Sequence, residues 1–174
     1  QELYAECPTL TGQLSIPFVR GTQGAAPNGT VLDPRGRMLA GSCCKHFVAY
    51  SQETIPVDRG KFNAEVDTRS FYEFYAPAFH DCIVGGQPMH VMASINALNG
   101  VPTAAEPALL DGLLRSSWNF DGFVVTTNPA DFAGHAPKQC VPCSCFKICY
   151  FAPRVRVAKV PCDKSMGSTP LLDP

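Results

Sequence analysis

Lys45 and His46, Ser94 and Asn96, and Thr126 and Thr127 lie at the ends of short apolar runs, at 39–47, 90–93 and 123–125. An ammonium beside an imidazole offers donors and an acceptor to a polar ligand. Where parallel strands end at a common rim, polar residues placed just after them face one pocket. Plainer readings exist for the same residues. A Lys-His pair after a strand is usually satisfied by ordinary surface or core partners, and Ser-x-Asn is a common turn signal. Cys140, Cys143, Cys145 and Cys149 form a second cluster, with a Cys-x-x-Cys spacing suited to zinc. Structural zinc sites usually set two such pairs farther apart, and an irregular tail or disulfides would account equally for these residues. His80, His90 and His135 lack metal-ligand spacing, and no cofactor is expected.

The elements that must position these groups follow from periodicity. Residues 106–116 place Leu109, Leu110, Leu113 and Leu114 on one side of a helix. The apolar runs at 90–93 and 123–125 read as strands, with a turn at 100–102. Two buried strands joined by a helix make a βαβ unit, whose strands must be parallel. Upstream, Thr9 or Thr11 can cap a helix reaching about 20, with Leu10, Leu14, Phe18 and Val19 inward and Pro17 an awkward interior residue. Residues 25–37 and 50–61 read as loops and 39–47 as a strand. Asp67 can cap a helix over 68–84 that presents Phe71, Phe74, Tyr75, Ala78, Phe79, Cys82 and Ile83, with a possible kink at Pro77. Helix and strand thus alternate three times, an α/β pattern. Beyond Thr127 one more helical turn could fit 128–134, and no period is sustained from 135 to 174.

Composition sets outer bounds. The 174 residues suffice for one domain with a core. A net charge of −1, with 14 basic and 15 acidic residues and no like-charged block, gives no reason to expect nucleic acid or an anionic membrane as partner. The basic stretch 33–37 is short and reads as a solvated loop. No run of about 18 apolar residues is present, so no transmembrane helix is expected. The first residues lack the basic start and apolar core of a signal peptide. Nine cysteines, an odd number, cannot all pair within the chain, and Asn28-Gly29-Thr30 is a glycosylation sequon if the chain is secreted.

The ordered series Ser94-x-Asn96-Ala97-x-Asn99-Gly100-x-Pro102-Thr103, the leucine helix with Arg115 and Trp118, and Phe120-Asp121-Gly122-Phe123-Val124-Val125 resemble the catalytic barrel of glycoside hydrolase family 3, in its β-xylosidase and β-glucosidase branch. Lys45-His46-Phe47 matches that family's Lys-His-Phe motif. The order Glu6-x-Pro8-x-Leu10-Thr11 and then Phe18-Val19-Arg20-Gly21 is similar to the segment before it. Ala5-Glu6-Cys7-Pro8 stands where Gly-Glu-Asp-Pro is usual. The resemblance, over roughly 1–125, implies an incomplete (β/α)8 barrel with parallel strands, since a closed one needs about 250 residues. Residues 1–134 would form a partial N-terminal barrel domain and 135–174 an irregular Cys-rich tail outside it. The abrupt change after 134 reads as a truncated or altered coding sequence rather than a dedicated module.

The resemblance also implies function: a retaining β-glycosidase acting outside the cell on xylo- or gluco-oligosaccharides. Lys45 and His46 would bond sugar hydroxyls next to the scissile bond, with Ser94 and Asn96 as further substrate-binding candidates. Retention requires a carboxylate nucleophile and a carboxylic acid. The family's nucleophilic Asp follows the last strand, and a gap-free count places Thr127 there. A neutral hydroxyl without a positioned base does not attack an anomeric carbon. Asp131, beyond Pro129, is the nearest carboxylate and a poor substitute. The family tyrosine between Ser and Asn is Ile95 here. In this branch the acid/base residue comes from a second domain beyond the barrel, which this sequence does not contain. The alternative Asp-x-His dyad of the N-acetylglucosaminidase branch is absent from 51–59. The expected chain is therefore catalytically incompetent. Two other readings stay open: a non-catalytic sugar-binding relic, and a metal-stabilised interaction protein using the cysteine cluster.

Overall fold

A computed structural model describes residues 4–126 of the chain. The first element, α1 (Pro8–Gln23), opens with Pro8 in its first turn, where a missing N–H costs nothing. It runs three residues past the expected end, through Pro17, and stops at Gly24, whose φ of 77° supplies the left-handed cap. Of the expected inward face Val19 is buried, and the other three residues are corrected. Leu10, Leu14 and Phe18 are 45%, 43% and 60% exposed, and the buried face is Gly12, Ser15, Val19 and Gln23. The reason lies opposite: a side chain at Gly12 would strike Asp81, one at Gly85 would strike Ile16, and one at Gly86 would press on Val19. Close approach at these glycines turns the face of Gly12, Ser15 and Val19 inward and leaves Leu10, Leu14 and Phe18 outside.

The helical stretch opposite α1 comprises α2 (Thr68–Ser70), a π-helical turn (Phe71–Tyr75), α3 (Pro77–His80) and a second π-helical turn (Asp81–Gly85). Asp67 caps it as expected, its carboxylate accepting from the Ser70 N–H at 3.0 Å. Pro77 lacks a donor, and the wide turn before it closes instead through the Ala76 N–H to the Phe71 carbonyl. Phe74, expected inward, is 54% exposed.

Strands β1 (Cys43–Phe47), β3 (His90–Ala93) and β6 (Phe123–Val125) form a parallel sheet in the order β1-β3-β6. The βαβ unit read from the sequence is present; its helix is the π-helical segment Ala108–Ser117, with Leu109, Leu110 and Leu114 buried. Strand β1 starts later than expected, and Leu39 is exposed. Its register against β3 shifts between Cys44 and Phe47, and cis peptide bonds occur at Lys45–His46 and Phe47–Val48.

A second small sheet was not apparent from the sequence. In it β2 (Asn63–Ala64) pairs parallel with β4 (Ala97–Leu98), which pairs antiparallel with β5 (Val101–Pro102). The turn lies at Asn99-Gly100, with φ of 49° and 89°, rather than at 100–102. Positive φ at both central residues suits a two-residue hairpin and the Asn-Gly pair.

The core gathers Phe47, Val48, Val91, Ala93, Leu110, Leu114 and Val124 beneath the helices, with the Phe47 ring against Phe79 and Trp118. Cys44 and Cys82 form a disulfide across 38 residues, tying β1 to the helical stretch beside it. Arg115 donates to the carbonyls of Phe120 and Gly122 and lies over the Phe120 ring, so it fixes the entry to β6. Burial lowers the pKa of its guanidinium.

Candidate functional site

Strand β1 carries Lys45 and His46 in its last three residues, and both open on a cavity of about 580 Å3, within the range of small-ligand sites. One wall comes from the start of α1, with Glu6 and Thr11. A second comes from the helical stretch, with Phe74, Tyr75 and Phe79, and a third from the loop after β1, with Tyr50, Glu53 and Arg59. His46 is half-buried and its ring meets that of Tyr50 edge-on at 5.3 Å. The Tyr50 hydroxyl donates to Glu53 Oε2 at 2.9 Å, and Arg59 Nη1 reaches the same oxygen at 3.3 Å. Burial raises the Tyr50 pKa, and its bond to Glu53 raises it further. The cavity thus mixes ammonium, imidazole, guanidinium, carboxylate and phenol beside aromatic surface. Vicinal hydroxyls, which both donate and accept, are met by such a set.

Lys45 and His46 are brought to this cavity; Ser94 and Asn96 are not. Both are wholly buried after β3. The Ser94 hydroxyl bonds the Val48 carbonyl and Thr103, and the Asn96 amide reaches the carbonyls of Val48, Ala49 and Ala97. They do not line this cavity as the site reading expected, and the backbone turn after His46 occupies their donors. Ile95, between them, does line the cavity.

Strands β1 and β3 run side by side in parallel, but Asn96 turns away from the cavity that Lys45 reaches, so these two residues do not meet at one rim. Strand β6 pairs with β3 and carries Thr126, half-buried, at its end. Thr127 and Asp131 lie outside the described residues, as do Cys140, Cys143, Cys145 and Cys149. Among the described residues no group of three or more His, Cys, Asp or Glu could hold a metal ion, and no helix is long and apolar enough to cross a membrane.

The sequence pattern of the glycosyl hydrolase family 3 N terminal domain matches residues 1–134. This chain belongs to glycosyl hydrolase family 3. It is 36% identical over 130 residues to β-D-xylosidase 3 of Arabidopsis thaliana, covering 72% of this chain and 16% of that protein. A probable exo-1,4-β-xylosidase of Aspergillus clavatus is 41% identical over 122 residues, covering 70% and 15%. Among solved structures, β-glucosidase 3B of Thermotoga neapolitana in complex with glucose superposes with a TM-score of 0.58 at 34% identity, covering 71% of this chain and 15% of that one. The family 3 chain described here thus spans about one sixth of the length of these relatives.

Sequence reasoning found Lys45 and His46 but passed over Glu6, Tyr50, Glu53, Arg59 and Tyr75. The loop at 50–61 held the only available signal, a Tyr, a Glu and an Arg following the Lys-His strand.

Proposed function

We propose that this chain supplies one wall of the sugar-binding rim of a retaining β-glycosidase for xylo- or gluco-oligosaccharides, and that on its own it holds sugar without cleaving it. In this reading β1, β3 and β6 are three of the eight strands of a (β/α)8 barrel, whose active sites sit at the strands' C-terminal ends. One observation carries it: Lys45 and His46, an intact family motif, lie in the last three residues of a parallel strand and open on a cavity lined with polar and aromatic side chains. The relatives' names, β-xylosidase and β-glucosidase, supply the substrate class.

Two positions argue against hydrolysis. Ile95 brings an apolar side chain into the cavity where the family has a tyrosine. The gap-free count from β6 puts Thr127, a neutral hydroxyl, at the nucleophile's place. Loss of the nucleophile in a covalent enzyme lowers turnover by about 10⁴ to 10⁶. An extracellular setting is part of the proposal: the Cys44–Cys82 disulfide suits an oxidising compartment, and the sequon residue Asn28 is exposed.

Calorimetry of the purified chain with xylose and with glucose, beside nitrophenol release from aryl β-xyloside and β-glucoside, tests both halves. Binding that disappears in Lys45→Ala, without nitrophenol release, is expected. Release that Thr127→Val leaves untouched would overturn the non-catalytic half. Binding that Lys45→Ala leaves untouched would remove the sugar site.

A further inference from the structure

Three successive backbone carbonyls follow His46, and residues 94–96 capture all of them. The Ser94 N–H donates to Phe47 O at 2.7 Å. The Ser94 hydroxyl donates to Val48 O at 3.1 Å. Asn96 Nδ2 reaches Val48 O and Ala49 O, each at 3.4 Å, and its own neighbour Ala97 O at 2.9 Å. Ala49, a buried non-glycine residue with φ of 57°, sits in the middle of this turn.

The Asn96 amide is aimed by its donors. Its Oδ1 is buried with no partner, and the reverse orientation would set that oxygen against three carbonyls. Behind Ser94 stands Thr103, wholly buried at the start of the helical turn Thr103–Ala105. Thr103 Oγ1 donates to Ser94 O at 2.6 Å and lies 3.0 Å from Ser94 Oγ. Its single proton is committed to the carbonyl, so the proton of Ser94 is shared between Val48 O and Thr103 Oγ1. The Thr103 N–H closes the loop on Asn96 O at 3.2 Å.

We infer that Ser94, Asn96 and Thr103 are positioning residues, a buried polar clamp that sets His46 and Tyr50 at the mouth of the cavity. His46 immediately precedes the captured carbonyls and Tyr50 immediately follows them, and their rings meet edge-on. Ile95 reaches the cavity because its two neighbours turn the other way, into the clamp. The consequence for sugar rests on the proposed function; the consequence for His46 does not.

The test compares Ser94→Ala, Thr103→Val and Thr103→Ser in the full chain by xylose calorimetry, by the NMR resonances and pH titration of the His46 ring, and by thermal unfolding. Ser94→Ala and Thr103→Val are expected to weaken xylose about tenfold, the scale of one lost buried hydrogen bond, and to move the His46 resonances. Thr103→Ser, which keeps the hydroxyl, is expected to restore both. Folded Ser94→Ala with wild-type affinity and unmoved His46 resonances overturns the clamp. Ser94→Ala alone decides if Thr103→Val does not fold. Should the wild-type chain take up no xylose, the sugar reading falls, and the His46 resonances still decide the clamp: moved supports it, unmoved overturns it.

Discussion

Helix α1 repeats Leu10, Leu14 and Phe18 every four residues, and the π-helical segment at 108–117 carries Leu109, Leu110, Leu113 and Leu114. In the second stripe Leu109, Leu110 and Leu114 are buried in one core with Val91 and Val124, and Leu113 is partly buried; the first stripe faces solvent. Spacing in both cases marks one face of a helix. What lies opposite decides whether that face turns inward. The later segment shares its core with Val91 and Val124 of the sheet, and its leucines are buried there. Helix α1 meets the glycines and Asp81 of its neighbour, with Gly12 against Asp81, Ile16 against Gly85 and Val19 against Gly86. At its end Gln23 substitutes polar bonding for apolar packing. Its Oε1 accepts from the N–H groups of Ser42 and Met89, and its Nε2 donates to Gln87 O.

The contrast can be broken most directly at Leu114. Leu114→Ala empties a fully buried site and is expected to cost about 2–5 kcal/mol in denaturant unfolding; a cost below about 1 kcal/mol would place this stripe with that of α1. Gln23→Leu leaves two N–H groups and a carbonyl unpaired, and an expected loss of about 2–3 kcal/mol follows from such buried groups. A neutral or stabilising result would mean that the polar end of α1 packs as well without its bonds.

The Asp67 cap sharpens the comparison through pH. Bonds from the Ser70 hydroxyl and N–H hold the Asp67 carboxyl below its ordinary pKa. Its contribution is therefore present above about pH 4 and fades as pH falls through the depressed value. Asp67→Ala is expected to lower Tm at neutral pH and to converge on wild type as pH falls below the depressed value; a pH-independent gap would show that the lost term is not the charge. The smallest effect is expected at Leu14, where truncation to Ala should change stability by no more than about 0.5 kcal/mol. A larger cost would mean that the exposed stripe of α1 is covered in solution.

Much of the frame was legible because it is local. The strands at 90–93 and 123–125, the helix between them and the Asp67 cap all follow from periodicity or capping within a few residues. The small sheet was not, since two-residue strands such as Asn63–Ala64 carry no period and exist only through pairing with Ala97–Leu98. The candidate site divides similarly. Lys45 and His46 were legible as polar residues ending an apolar strand, whereas Glu6, Tyr50, Glu53 and Arg59 come from segments that meet only in space.

The sequence alone determined the family, the parallel βαβ unit and the Lys45-His46 pair, because each is written in residue order and short-range spacing. Tertiary structure decided which face of α1 turns inward, that Ser94 and Asn96 grip the backbone behind His46, and that Ile95 reaches the cavity. Those outcomes depend on volumes and donors contributed from elsewhere in the chain, and spacing along one segment carries no record of what stands across from it.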